Sequence, residues 1–358
     1  MHRLTRDQAR RIAVRAQLLD AERPGDVVEV AEQIGPIKID PTAVIAPSQL
    51  TVPWTRIGWS FEPPQLTKAV EEDGLLFEYA GHFYPGTWRP LVRARQGPDR
   101  LYGATAAWLE ANARFRADVL TRLRADGPLL AAAIDDTAQV AAKSEGGWYG
   151  PNQVPRMLDV LERLGEVAVV GRVGRMRRWD LAERVHGDVP ALESDQAQRM
   201  LQLRRLQASG IARAGTAAVG VGAAGEAAEV EGSNRAWRVD PDAIAALDND
   251  PGGRVAILNP YDSMLSDRTR LSELFEFDFR SEQFTPKAQR VYGYFAHPIL
   301  IGDRFVGQLD AALDKKKETL VVAAIHEMIG FDGDEREMVH AEIRDLGEWL
   351  GVEVTGLG

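Results

Sequence analysis

Lys38 and Asp40 lie in the run Ile34-Gly35-Pro36-Ile37-Lys38-Ile39-Asp40-Pro41, where apolar and charged residues alternate until a proline stops the pattern. Side chains two apart share a face of an extended strand, so the ammonium and the carboxylate point the same way. A carboxylate so placed can stabilise developing positive charge and orient or deprotonate a water. A lysine beside it can act as a point charge for phosphate, or, if its amine is neutral, as a nucleophile. Taken without context, the plainer reading is a half-buried strand with two solvated charges. A second cluster, Arg172, Arg175, Arg177 and Arg178, falls within seven residues around Gly174. It suits either a solvated hairpin surface or a phosphate-tracking patch.

Other patterns carry less. Gly220-Val221-Gly222-Ala223-Ala224-Gly225 matches a dinucleotide-loop string, yet no convincing strand precedes it and no long helix follows, so an ordinary turn is expected. The six histidines are scattered, with no pair at ligand spacing, and no metal or cofactor is expected. Asp332 and Asp334 read as the acidic start of the last helix rather than a calcium loop. The chain has no cysteine, which excludes disulfides, thiolate metal sites and thiol nucleophiles together.

The elements that must position these residues follow from periodicity. Thr5 and Gln8 form a capping-box pattern ahead of Ile12, Ala13, Ala16 and Leu19, predicting an opening helix. Val27 to Ile34 is a second helix ended by Gly35-Pro36. Leu75 to Tyr79 is read as a strand. Thr105 to Arg124 is helical, Leu129 to Ile134 starts another helix, and Asn152 to Leu164 is amphipathic up to Gly165. Val167 to Gly171 and Met176 to Leu181 then form a hairpin, so helix, helix and hairpin follow in winged-helix order. After Asp248 strands are expected at Val255–Leu258, Phe277–Phe279, Val291–Phe295, Phe305–Gln308 and Leu320–Ala324, before a helix from Asp334 to Leu350.

The fold expected is α+β: tandem winged-helix domains, then a mostly antiparallel β domain with a C-terminal helix. Boundaries are read at 1–125, 126–190, 191–247 and 248–358. The net charge of −10 is uneven, with +2 over residues 1–213 and −12 over 214–358. A basic patch on the first part is therefore compatible with an acidic whole. No apolar run spans a bilayer and the N-terminus lacks a signal-peptide core, so a cytoplasmic protein without membrane attachment is expected.

Several strings together resemble the crosslink-repair DNA glycosylases of the AlkZ/YcaQ type, which are tandem winged-helix proteins. Leu4 through Ala13 resembles that family's opening helix, and Ile34 through Pro41 is similar to its catalytic strand, followed by Trp54-Thr55-Arg56-Ile57-Gly58. Leu76 through His82, Trp148-Tyr149-Gly150 and Arg178 through Val185 continue the likeness. So do Asn259-Pro260-Tyr261-Asp262 through Asp267-Arg268, Phe275 through Asp278, Tyr292-Gly293-Tyr294, Pro298-Ile299-Leu300 and Gly302-Asp303-Arg304. The resemblance implies a monomer that excises alkylated purines or unhooks crosslinks in double-stranded DNA, without cofactor, at the nucleoid. It implies a catalytic role for Asp40 and a role for Lys38, with Arg56, His82, Arg172, Arg175, Arg177 and Arg178 against DNA. Three departures stand out: Lys38 replaces the family's usual Gln, Ser266 stands where Trp is common, and the third winged helix is short between Ala214 and Glu226. Two outcomes follow, an altered glycosylase or a non-catalytic DNA-binding relative such as a lesion binder or regulator.

Overall fold

The computed structural model describes residues 1–141, 152–190, 192–216, 219–247 and 252–357. The Trp148-Tyr149-Gly150 string lies outside them. The fold is α+β, and the chain divides into two compact units: Met1–Gln65 with Leu201–Gly358, and Leu66–Met200.

In the first unit the opening helix, Arg6–Ala16, begins with the expected reciprocal cap, Thr5 accepting from the Gln8 amide and Gln8 from the Thr5 amide. Ala9, Ile12, Ala13 and Val14 face its core. Helix Val27–Ile34 starts on Asp26 and ends at Gly35, whose φ of 79° favours a residue without Cβ. Strand His2–Leu4 pairs in parallel with Glu226–Val230, and Trp237–Val239 and Ile211–Arg213 complete a four-stranded sheet. A second sheet runs Val255–Ile257, His297–Ile301, Arg304–Asp314, Thr319–Glu327 and Glu353–Thr355, antiparallel except for the last pair. The closing helix Gly333–Trp349 is capped by Asp332 and Glu335.

One apolar core joins these pieces. Ile12 and Val14 share it with Trp237, Leu258, Leu271, Phe277, Leu300 and Phe305. Burial of the first helix therefore depends on strands more than two hundred residues away. Phe277–Phe279 is not a strand: its two rings stack (6.0 Å) and Phe277 stacks on Phe305 at 4.4 Å, so the alternation marks burial without a ladder. Val291–Phe295 is likewise loop.

In the second unit, strands Leu76–Tyr79 and His82–Pro85 form a hairpin through Ala80-Gly81, both at positive φ. Helix Ala113–Asp126 precedes a short strand, Leu129–Leu130, where a helix was expected. Its residues pair with Trp179 and Arg178, so the backbone is used in a ladder instead. Helix Val154–Leu164 ends at Gly165 in the left-handed conformation, and the hairpin Val167–Val173/Met176–Leu181 follows. The sheet order is Leu129–Leu130, Met176–Leu181, Val167–Val173. Phe115, Val119, Leu123, Leu158, Leu161 and Trp179 fill the core beneath it.

Candidate active site

Strand Ile37–Lys38 is short, and the chain turns at Asp40. Asp40 Oδ1 accepts the Thr42 N–H at 2.8 Å, an Asx turn that fixes the carboxylate against its own backbone. The Asp40 N–H points to Gln49 Oε1 at 3.4 Å, and Ser48 Oγ donates to the Lys38 carbonyl at 2.7 Å. Gln49 and Ser48 lie in the first turn of helix Ser48–Ile57, so that helix end holds the Lys38–Asp40 backbone.

A second set of bonds holds the turn from the other side. The Tyr261 hydroxyl donates to Gln283 Oε1 at 2.7 Å, and Gln283 Nε2 donates to Thr42 Oγ1 at 3.1 Å. Tyr261 is fixed by Asn259, whose Oδ1 accepts the Tyr261 N–H and whose Nδ2 donates to Thr51 on the helix. Burial, and then the negative charge of Asp40, raise the Tyr261 pKa, so the phenol stays protonated and able to donate.

Neighbouring carboxylates are committed elsewhere. Asp262 and Asp267 are paired with Arg56 and Arg213, and Glu282 accepts the N–H groups of Val291, Tyr292 and Gly293. Asp40 is half-buried and, among the described residues, no cation lies within ion-pair distance of it, nor any carboxylate within that distance of Lys38. A carboxylate oriented by one backbone donor, and otherwise uncompensated, suits stabilisation of a developing cation.

Arg56 corrects the expectation of a DNA contact. It is fully buried, and all five of its N–H donors are used, on Asp262 (2.7 and 3.0 Å), the Gln17 carbonyl and side chain, and the Val52 carbonyl. No donor remains for a phosphate. Its role is to tie helix Ser48–Ile57 to the Asn259–Asp262 turn.

The second unit holds the other expected residues. His82 sits on the hairpin, with Nδ1 3.0 Å from the Ala80 carbonyl, and packs against Tyr84. Arg172 is also a correction: it makes a bidentate pair with the buried Glu78 (2.8 and 2.6 Å), so it braces the hairpin. Arg177, directly opposite Arg172, pairs with Asp159 at 2.8 Å and covers the Trp179 ring. Arg175 is exposed at the turn, and Arg178 is partly exposed opposite Gly171; among the described residues neither forms an ion pair. Basic residues on one hairpin thus divide into two that brace and two that present charge.

The same unit contains a cleft of about 430 Å³ lined by Phe77, Tyr79, Arg89, Glu162 and His186. Burial pushes Glu162 up to about 8, against the opposing charge of Arg177, and lowers His186 to about 4. Periodicity hid Glu162 because it lies on an otherwise apolar helix face. Tyr261 and Gln283 were also missed as site residues. Tyr261 lies within a string carrying the family resemblance, whereas Gln283 gave no sequence signal.

The glycine string at 220–225 forms turns, and the carbonyls of Ala223 and Ala224 accept from Arg238. It offers carbonyl oxygens where a phosphate needs amides. Among the described residues, no group of three or more His, Asp or Glu is placed to hold a metal, and no helix is long and apolar enough to cross a membrane.

Comparison with known proteins bears on the family and the fold. A family model described as DNA glycosylase AlkZ-like matches residues 31–349. The solved structure of the Streptomyces sahachiroi DNA glycosylase AlkZ aligns with 99% of this chain and 100% of its own, with a TM-score of 0.64 at 15% identity, a likeness of fold.

Proposed function

The chain belongs to the AlkZ-like DNA glycosylase family, and from that premise we propose that it hydrolyses the N-glycosidic bond of alkylated purines, including purines tethered in interstrand crosslinks. The observation that carries this reading is Asp40: half-buried, fixed by Thr42 and braced by Tyr261–Gln283, with its charge unpaired among the described residues. Breaking the bond builds positive charge on the deoxyribose. Asp40 stabilises that charge and orients the attacking water. A purine already cationic through alkylation leaves without being protonated, so one carboxylate suffices.

Double-stranded DNA is the proposed partner. The helix–strand–helix–hairpin order of the second unit and its strand order support a winged-helix reading, with the 167–181 hairpin as wing. Arg175 and Arg178 supply phosphate contacts there, and His82 marks a second contact point on the neighbouring hairpin. Lys38, where the family commonly has Gln, acts as a phosphate contact beside the reacting sugar.

A duplex bearing 7-methylguanine tests the proposal. Release of free base by the native protein is expected, and Asp40→Asn retains binding while losing on the order of a hundredfold or more in release. Full activity in the variant removes Asp40 from the mechanism. Binding without release by the native protein favours the second reading, a lesion binder whose Lys38 marks lost chemistry.

A further inference from the structure

Phe284 is 90% exposed, and among the described residues no ring packs against it. Leaving a phenylalanine in water forgoes the burial that most such side chains obtain. A mobile loop could carry such a residue at little consequence, but this loop is tightly tied. The Glu282 carboxylate accepts N–H groups from Val291, Tyr292 and Gly293 at 2.8–3.2 Å. Thr285 N–H donates to the Glu282 carbonyl, and Arg290 Nε donates to the Thr285 carbonyl, both at 2.9 Å. Gln283 is held by Tyr261 and Thr42. Residues on both sides of Phe284 are therefore fixed, and the ring is presented by a prebuilt frame.

The location of that frame gives the ring a use. Gln283 contacts Thr42, whose N–H is bonded to Asp40, so Phe284 follows directly on the residue that braces the candidate carboxylate. Arg280 and Lys287 are exposed on the same loop, and Arg290 lies over Tyr294 at 4.9 Å. An exposed apolar side chain among cations matches the wedges that enter base steps while neighbouring charges hold the backbone. Trp59 is 87% exposed but lies beyond the far end of helix Ser48–Ile57 from Ser48 and Gln49, and lacks this tie.

We propose that Phe284 is a positioning residue that inserts into the duplex beside the damaged base pair, unstacking the base step so that its sugar is presented to Asp40. This rests on the glycosylase reading for the reaction, but only on DNA binding for the insertion.

The test uses the full chain and a duplex carrying 7-methylguanine with 2-aminopurine at the adjacent position. The native protein should raise 2-aminopurine fluorescence on binding, as the step unstacks. Phe284→Ala should keep the native Tm, lose that rise, and release base roughly tenfold to a hundredfold more slowly at saturating protein. Phe284→Leu, which keeps an apolar wedge, should recover much of both signals, and Phe284→Trp should show indole quenching on binding. Unaltered fluorescence and release in Phe284→Ala overturn the proposal. A concentration-dependent dimer that Phe284→Ala dissolves in the absence of DNA also overturns it, in favour of a second copy as the occupant. If the native protein releases no base but the fluorescence rise is present and lost in Phe284→Ala, the wedge stands and the chemistry falls. Normal release with an indifferent Phe284→Ala gives the reverse.

Discussion

Lys38 shares a backbone with Asp40 but has no carboxylate within ion-pair distance among the described residues, and the two roles open to it are separable. A phosphate contact predicts that Lys38→Gln weakens DNA binding and leaves borohydride without a trapped complex at either residue. A nucleophile predicts a Schiff base with the opened sugar, trapped by borohydride in the native protein and lost in Lys38→Gln. We expect the first outcome; trapping under conditions of base release would reverse it. Legibility at this scale follows the range of the interactions. The short strand that carries Lys38 and the stop at Pro41 were readable because they are local, whereas the Gln283 brace on Thr42 comes from 241 residues away. Arg56 was not readable, because the carboxylate that buries it is 206 residues away, and Arg172 was not, because Glu78 is 94 residues away. An arginine in a sequence looks like a free cation until its partner is placed.

The 167–181 hairpin carries four arginines with unequal duties, and substitutions should separate them. Replacing Arg175 and Arg178 with Ala should leave thermal stability unchanged and reduce the salt dependence of DNA binding by roughly one for each phosphate no longer neutralised, across all sequences. Arg172→Ala should instead lower stability, since it leaves the buried Glu78 carboxylate without its partner. An unaltered salt slope in the double variant would put the DNA surface elsewhere. Among elements, those with chemical punctuation were legible: the Thr5–Gln8 cap, the helix ended by Gly165, and the hairpin around Gly174. Phe277–Phe279 and Leu129–Ile134 misled because periodicity reports which side chains are buried, and a loop or a two-residue strand can bury the same side chains as a longer element.

For the molecule as a whole, pH should act on both units: burial lowers His297 of the first to about 4, and shifts Glu162 and His186 in the second. Glu162 is raised to about 8 by burial, above its ordinary value of 4.5, so the folded state holds this proton more tightly than the unfolded chain. Its contribution to stability is complete below about 4.5 and is lost as pH rises through 8. His186, lowered to about 4, acts in the opposite sense, losing stability as pH falls below 6.5. The Tm of the second unit should fall between about pH 6.5 and 8, where Glu162 acts without the opposing His186, and Glu162→Gln should flatten that fall; an equal slope in the variant would assign it to other groups. The first unit has a further sensitivity, set by its assembly from both ends of the chain. Strand His2–Leu4 pairs with Glu226–Val230, and 135 residues of the second unit intervene between Gln65 and Leu201. During translation at about 10 residues per second, residues 1–65 would wait on the order of ten seconds for their partners to leave the ribosome. Through that interval Ile12 lacks the core it shares with Trp237, and Trp54 lacks Trp349. The pace of synthesis therefore sets how long the nascent chain is open to proteases and to pairing with a neighbour on the same messenger.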